Sequence, residues 1–483
     1  MPSIKKNLGW NIFLTVSGYL FPLLTFPYVT RVLGADNLGL ANFALSVVDY
    51  ALIFANLGFS AIGCKYISQY NSDTEKRNKI FGSLVSLHII LSCIIIAVYT
   101  SCVFLIDQLY ENRILYLVGI AKIVSNVFLI EWLFQGMQDF RYVTLRTLII
   151  RSLYVIAIFA MVRHKEDYDV FFYITIAQVV VNAVVNWNYS RKYVHFTFSF
   201  KGIRQFIFPV FSMGINYILL SFYVTFNNII LGMCCDDASV GYYVTATRLY
   251  AILISLITAY NGVLFPHLNS LFGKGEMDEF KKYIRESFSL VLLMAIPIIV
   301  GGVILAPEIV RLIAGPGYER AVLPFQILLF QVLFVGIAQT LENQILLSLK
   351  KFKDILICTS VSISFAAVIL FALMPTYAEV ASAYAVAIPH LIEVILLYYY
   401  ARRAIDIKFP VAEFFKNLLS CVPIAVICLY VRQLPLAFYW ILIICCGSSA
   451  IYYFVMQYFV LNNSLLHSQI DQHIPGLLMK HKE

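Results

Sequence analysis

The stretch IFGSLVSLHIILSCIIIAVYTSCVFLI, residues 80–106, decides the fold class of this chain. It contains no Asp, Glu, Lys or Arg, and it exceeds the roughly 20 apolar residues that a helix needs to cross a hydrocarbon core of about 30 Å. A helix satisfies its own backbone hydrogen bonds in lipid, whereas the short alternating strands of a membrane barrel are absent from the sequence. The stretch therefore predicts a transmembrane helix.

Similar apolar stretches occupy most of the 483 residues. Hydrophobic residues make up 61% of the chain and charged residues only 13%, against about 25% in soluble domains, and the mean hydropathy is +0.81. The sequence thus predicts an all-α polytopic membrane protein with about 14 transmembrane helices. The other predicted spans are 8–33, 39–69, 113–137, 143–162, 170–190, 205–231, 240–268, 282–306, 321–349, 354–373, 379–401, 414–433 and 438–460.

The loops between these spans carry their basic residues asymmetrically. Of the 35 Lys and Arg, 23 fall on the side of the N-terminus and seven on the opposite side. Cytoplasmic loops are enriched in Lys and Arg, so both termini are predicted to be cytoplasmic. The net charge of +8 is then mostly a topology signal, and it calls for no nucleic-acid partner. The other five basic residues lie within spans: Lys65, Lys122, Arg151, Arg248 and Lys416.

An internal repeat divides the chain. LGADNLGLANFALSVVDYALI, from Leu33, is similar to LGMCCDDASVGYYVTATRLYAILI, from Leu231, and this offset lays the first six spans over the next six. Units of six spans have the same orientation, which predicts a parallel repeat about an axis along the membrane normal. Chance reuse of glycine at helix ends is the alternative. The predicted domains are an N-lobe, 1–200, a C-lobe, 201–405, and two extra spans with a short cytoplasmic tail, 406–483.

Eight charged residues fall in or near span interiors. At about 2.5–3.5 kcal/mol each, exposing all of them to lipid would cost roughly 20–28 kcal/mol, which exceeds a typical net stability of about 5–15 kcal/mol. They must therefore face one another or a hydrated cavity. Snorkelling or a structural ion pair is an equal alternative for Lys65 and Arg151. The other six are Lys122, Arg248, Asp49, Glu131, Glu342 and Glu393.

The cations and the acids predict different chemistry. Lys and Arg groups around a low-dielectric, water-filled cavity attract phosphate or pyrophosphate, which arginine can bind bidentately. Asp49, Glu131, Glu342 and Glu393 are candidates for coupling to H⁺ or Na⁺, and His390 lies one turn from Glu393 as a partner. Each acid could instead simply pair with one of the cations.

Motifs for other chemistry are absent from the sequence. The ten cysteines form no CxxC pair, and the chain has no HExxH, Walker A or GxSxG motif. We therefore expect no metal site, no cofactor and no ATP hydrolysis, and the chain is predicted not to be an enzyme.

Three segments carry a family resemblance. FPYVTRVLGADNLGLANFA (Phe26 to Ala44), EWLFQGMQDFRYVTLR (Glu131 to Arg146) and VGYYVTATRLYAIL (Val240 to Leu253) resemble motifs of Wzx-type O-antigen and polysaccharide flippases, in the polysaccharide transporter family of the MOP superfamily. The resemblance implies two six-helix lobes around a central cavity that work by alternating access. In the related lipid II flippases the last two helices form a groove for the lipid tail, and the lack of interior charge after Lys416, until Arg432 at a span end, is compatible with that role here.

The resemblance further implies a substrate and site residues. The substrate would be an undecaprenyl-pyrophosphate-linked oligosaccharide, moved from the cytoplasmic to the periplasmic leaflet of the bacterial inner membrane. By motif position, Arg31, Lys65 and Arg248 match basic positions of the family, whereas Lys122 and Arg151 join the predicted substrate site through their depth alone. Membrane lipid, a polysaccharide polymerase and a chain-length regulator are the other expected partners. Two alternatives stay open: a multidrug or metabolite antiporter of the same superfamily, and a membrane polymerase or acyltransferase.

Overall fold

The computed structural model describes residues 4–199, 202–221 and 225–461, and this part of the chain is helical without a β-strand. The α-helices are α1 Ile4–Asn56, α2 Phe59–Gln69, α3 Thr74–Leu105, α4 Asp107–Glu111, α5 Arg113–Leu129, α6 Glu131–Gly136, α7 Phe140–Met161, α8 Tyr168–Ser190, α9 Arg204–Ser221, α10 Asn227–Cys234, α11 Asp237–Lys274, α12 Met277–Ala314, α13 Val322–Gln339, α14 Phe352–Ala404, α15 Val411–Ser420, α16 Val422–Arg432 and α17 Phe438–Val455. A 3₁₀ turn, Glu319–Ala321, and two π-helical segments, Thr340–Leu346 and Met456–Val460, complete the described elements.

The predicted spans correspond to these helices. Within the described residues, 11 helices are long and apolar enough to cross a membrane. Two of them, α1 and α14, each join two helices across a kink, at Gly34 and at Ala378. The predicted span 205–231 is represented by α9 and α10. The all-α polytopic fold is confirmed, and the count of about 14 stays a prediction.

The kink at Gly34 has a local cause. Gly34 has φ 73° and ψ 175°, a conformation that only glycine adopts without strain because it lacks a Cβ. It ends the first predicted span and allows the second to begin at once, and the second span then continues beyond Asn56 as α2.

The chain forms two compact units, Met1–Val244 and Thr245–Glu483. The core of the first is built from side chains such as Phe59, Phe81 and Phe134 of α2, α3 and α6. Large apolar side chains such as Leu105, 81% exposed, remain on the outside, which suits a surface facing lipid. Lipid is as apolar as leucine, so close packing rather than water exclusion holds such helices together. The predicted boundaries at 200 and 405 stay predictions.

The second unit has two cores. One lies among α11, α12, α13 and α14 and includes Phe280, Phe288 and Leu341. The other packs the last helices, α15–α17, against α12 through Leu292, Cys421 and their neighbours. The two extra C-terminal spans are therefore attached to the second unit along α12.

The turn between α6 and α7 is fixed by Asp139. Its Oδ1 accepts the backbone N–H of Tyr142 at 3.3 Å and so begins α7, while its Oδ2 accepts the hydroxyls of Tyr189 at 2.8 Å and Tyr193 at 2.7 Å. Burial alone would raise the pKa of this carboxyl, but the hydrogen bonds from Tyr193 and Tyr189 lower it below its ordinary value. The turn is thereby tied to the end of α8.

Candidate functional site

A buried ion pair joins α5 to α1 in the first unit. The Nζ of Lys122 lies 2.5 Å from Oδ1 of Asp49, and the Lys122 side chain is only 12% exposed whereas that of Asp49 is 45% exposed. Pairing removes most of the cost of a lone ammonium in the membrane interior. Lys122 and Asp49, predicted separately as a substrate ligand and an ion-coupling group, are thus partners in the structure.

A second cluster surrounds Arg146 in α7. Its Nη2 lies 2.5 Å from Oε1 of Glu131, and its Nη1 donates to Oδ1 of Asn186. The Nδ2 of Asn186 donates to the carbonyl oxygen of Leu129. The guanidinium is almost completely buried, whereas Glu131 is 43% exposed. Arg146 is one of the 23 basic residues assigned to loops on the side of the N-terminus, so its role in this cluster was not predicted. The spacing of Glu131 and Arg146 on either side of one short turn is the signal that could have revealed it.

Arg151, one and a half turns further along α7, has a different environment. Its Nη1 donates to the hydroxyl of Ser17 at 2.6 Å and to the carbonyl of Leu14 at 3.4 Å, both on α1. The side chain is half-buried, and within the described residues no carboxylate forms an ion pair with it. A guanidinium held by neutral oxygens keeps its full positive charge, so it can bind an anion bidentately.

The three cations carried over from the family motifs are exposed. Arg31 lies in α1, and Lys65 lies near the end of α2 with its Nζ 5.8 Å from the ring centroid of Tyr66. Arg248, in α11, belongs to the second unit. Their exposure is compatible with a ligand or with the membrane interface, and their role in substrate binding stays a prediction.

Two acids lie inside the second unit. Glu393, only 7% exposed, accepts the hydroxyl of Thr359 at 3.0 Å. Glu342 lies in the π-helical segment and within electrostatic range of Glu393. Neither forms an ion pair among the described residues. The Nδ1 of His390 lies 2.8 Å from the carbonyl oxygen of Val386, whereas the side-chain hydrogen bond of Glu393 is with Thr359.

A chain of amide side chains lies beside the same π-helical segment. Gln344 donates to Asn261 at 2.6 Å, Asn261 donates to Gln339 at 3.1 Å, and Gln339 donates to Thr258 at 3.1 Å. Asn261 and Gln344 are buried. The network links α11 to the predicted span 321–349. It was not predicted from the sequence, because uncharged amides do not stand out within apolar helices as charged residues do.

An apolar cavity of about 370 Å³ lies between α12 and the last helices. Gly301 and Gly302 open it on the α12 side, and Cys428 of α16 and Tyr453 of α17 line the opposite side. No cluster of three or more His, Cys, Asp or Glu side chains that could hold a metal ion occurs in the described ranges.

Comparison with known proteins identifies the family. The profile of the family described as "Polysaccharide biosynthesis protein" matches residues 4–272, more than half of the chain. The chain belongs to this family. The resemblance drawn from the three sequence motifs is therefore confirmed, and we treat the chain as a multi-pass membrane transporter.

Two relatives extend the match along most of the chain. The "Putative O-antigen transporter" of Escherichia coli (strain K12) is 25% identical over 399 residues, which cover 79% of this chain and 92% of the relative. A protein of the same name from Shigella dysenteriae is 24% identical and covers 65% of this chain and 79% of the relative.

Solved structures show the same fold. "Lipid II flippase MurJ, inward closed conformation" has a TM-score of 0.76 at 15% identity and covers 94% of this chain and 99% of that one. The inward-facing conformation of a multidrug resistance MATE family transporter of the MOP superfamily has a TM-score of 0.62 at 12% identity, covering 81% and 97%. At these identities the likeness concerns the fold alone, and that fold is the one of MOP-superfamily transporters.

Proposed function

We propose that this protein is a flippase that moves an undecaprenyl-pyrophosphate-linked oligosaccharide from the cytoplasmic to the periplasmic leaflet of the bacterial inner membrane. The named relatives supply the class of cargo, and Arg151 is the observation that carries the chemistry. The oligosaccharide headgroup would enter a cationic cavity, which is then exposed on the other side by alternating access.

The diphosphate is the part of the cargo that the chain must compensate electrostatically. Arg151 carries a charge without a carboxylate partner among the described residues, whereas Arg146 is neutralised by Glu131 and Lys122 by Asp49. A diphosphate would therefore bind first at Arg151, because Arg151 does not have to release a carboxylate before it binds the phosphate oxygens. Lys122 would contribute only after its contact with Asp49 loosens.

The lipid tail needs an apolar path, and the cavity beside the last helices suits it. Its volume of about 370 Å³ accommodates part of a prenyl chain, and its lining is almost entirely apolar. We propose that the tail stays at this surface while the headgroup crosses.

Coupling to an ion gradient requires a group that changes its charge or its ligand during the cycle. Asp49 and Glu131 already have cationic partners, whereas Glu342 and Glu393 have none among the described residues. An unpaired carboxylate in the membrane interior is costly, so binding H⁺ or Na⁺ there gains more than at a paired acid. We therefore favour Glu342 and Glu393 as the coupling groups.

The substrate site is tested by replacing its cations. Arg151→Gln, Arg31→Gln and Arg248→Gln should each reduce surface polysaccharide at least about tenfold while the protein remains in the membrane. Arg151→Lys should retain part of the activity, because it keeps the charge but loses the bidentate geometry. Arg163→Gln, which removes an exposed cation just beyond the end of α7, is the matched control. Normal polysaccharide in all three Gln variants would refute the assignment.

The coupling groups are tested by measuring the response to an imposed gradient. Glu393→Gln and Glu342→Gln should leave binding of the lipid-linked cargo unchanged but abolish the acceleration of transport by a proton or Na⁺ gradient. Glu276→Gln, at an exposed position before α12, serves as the control. Gradient-dependent transport that persists in both variants would exclude them as coupling groups.

The MATE-like fold keeps multidrug antiport as the second candidate. Export of cationic drugs by cells that express the chain, together with no effect of Arg151→Gln on surface polysaccharide, would favour that function.

A further inference from the structure

The two segments of the predicted sequence repeat cross each other within the first unit. At the crossing their backbones are in direct contact, with no side chain between them. A Cβ built on Gly39 would lie 1.7 Å from the carbonyl oxygen of Asp237, and a Cβ on Gly241 would lie 2.1 Å from the carbonyl oxygen of Ala35. Gly39 and Gly241 hold corresponding places in the repeat, after LGADNL and after the polar turn that begins α11. The glycine of each segment therefore packs against the backbone at the start of the other segment's helix, Gly39 against Asp237 and Gly241 against Ala35.

This contact cannot accommodate even a methyl group. The obstructing atoms are backbone carbonyls of helix ends, so no side-chain rotation can relieve the overlap. Close crossings of membrane helices gain their stability from the approach that small residues permit. The crossing therefore holds only while both positions are glycine.

Carboxylates oppose the same contact. Asp36 and Asp236 are exposed beside the crossing, and the Asp237 carboxylate is within electrostatic range of both. Like charges brought together at a contact favour its separation. Close glycine packing therefore favours the contact, whereas carboxylate repulsion favours its separation.

We propose that the Gly39–Gly241 crossing is the closed form of a gate at the helix ends predicted to face away from the cytoplasm. Glycine packing holds the gate shut, and repulsion among Asp36, Asp236 and Asp237 assists its opening. The inference rests on the proposed transport function, for which it supplies the outer closure. The gate joins segments predicted to belong to different lobes, so its opening would be one step of alternating access.

The first experiment measures the gate without transport. Ala35 is 8% exposed, so a thiol introduced by Ala35→Cys, in the full chain with its ten native cysteines replaced, reports whether the crossing is open. Adding Gly241→Ala or Gly39→Ala should raise the rate of maleimide labelling at least about tenfold, because the closed state loses its population. Gly262→Ala, in α11 with nothing near its added Cβ, should leave the rate unchanged. Unchanged labelling in folded Gly241→Ala and Gly39→Ala proteins would overturn the proposal.

A second experiment keeps both glycines and so does not depend on whether the alanine variants fold. The double variant Asp36→Cys/Asp236→Cys is made in the same cysteine-free chain, and its two thiols are cross-linked with a short reducible bifunctional reagent. Cross-linking should slow translocation of the lipid-linked oligosaccharide at least about tenfold, and reduction of the cross-link should restore the rate. Each single cysteine variant treated alike is the control. Full transport by the cross-linked protein would overturn the gate, whereas absent transport before cross-linking would count against the proposed function and leave the labelling result valid.

Discussion

At the scale of single residues, the charges inside the spans fall into two classes. Lys122 and Arg146 are neutralised by Asp49 and Glu131, whereas Arg151 is held by neutral oxygens of α1. A neutralised charge stabilises the packing of helices, while an uncompensated one remains able to bind an anion. The distinction between structural and functional charges follows from the partner rather than from depth in the membrane.

The Arg146 cluster gives a prediction about stability. Arg146→Ala removes both donors to Glu131 and Asn186 and should destabilise the folded protein by about 1.5–3 kcal/mol, the range for hydrogen bonds that involve charged groups. Glu131→Gln should cost less, because Glu131 is 43% exposed and keeps a hydrogen-bonding oxygen. Thermal unfolding of the purified variants in detergent measures both. Equal destabilisation by the two substitutions would contradict the buried, multiply bonded role of Arg146.

The sequence predicted part of this pattern. Insertion costs identified Lys122, Asp49 and Arg151 as interior charges, because the identity of a residue and its distance from a span end are visible in the sequence. Which cation meets which acid depends on how helices far apart in the chain pack. Arg146 was not recognised as buried because the predicted span begins at 143 whereas α7 begins at Phe140, which leaves Arg146 close to the predicted loop.

At the scale of elements, hydropathy located the helices well because lipid exposure demands long apolar runs. The predicted span 8–33 and the first part of 39–69 nevertheless join as α1 around Gly34, and the rest of 39–69 forms α2. The spans 354–373 and 379–401 join as α14 around Ala378. The sequence shows the polar gap between such spans, but not that the turn is so tight that the helices run almost continuously. The π-helical segment Thr340–Leu346 had no sequence signal either.

The Asp139 turn gives a prediction about pH. Because the folded-state pKa of Asp139 is lowered, its ionised form contributes stability above the unfolded pKa of about 3.9, and this contribution is lost as the pH falls through the folded value. Asp139→Asn should therefore melt at a lower temperature than the original chain at pH 7, with the difference shrinking as the pH falls towards 3. Asp278→Asn, in the exposed first turn of α12, is the control. A melting difference independent of pH would contradict the role of the carboxylate.

At the scale of the whole molecule, the weak internal repeat was the most informative sequence feature. Its two segments contact each other directly in the structure, through Gly39 and Gly241. The LG and VG patterns of the two segments predict the repeat, but they do not show that the two segments contact each other. The cargo could not be derived from the residues at all, and only the family supplies its class.

The most direct test of the central claim is translocation by the purified full chain in liposomes. A fluorescent oligosaccharide on a polyprenyl diphosphate, placed in one leaflet, should become accessible to a membrane-impermeant reagent on the other side faster than in protein-free liposomes. Arg151→Gln should reduce this rate at least about tenfold, and Arg163→Gln should not. Translocation no faster than in empty liposomes, with the protein folded and incorporated, would contradict the flippase account.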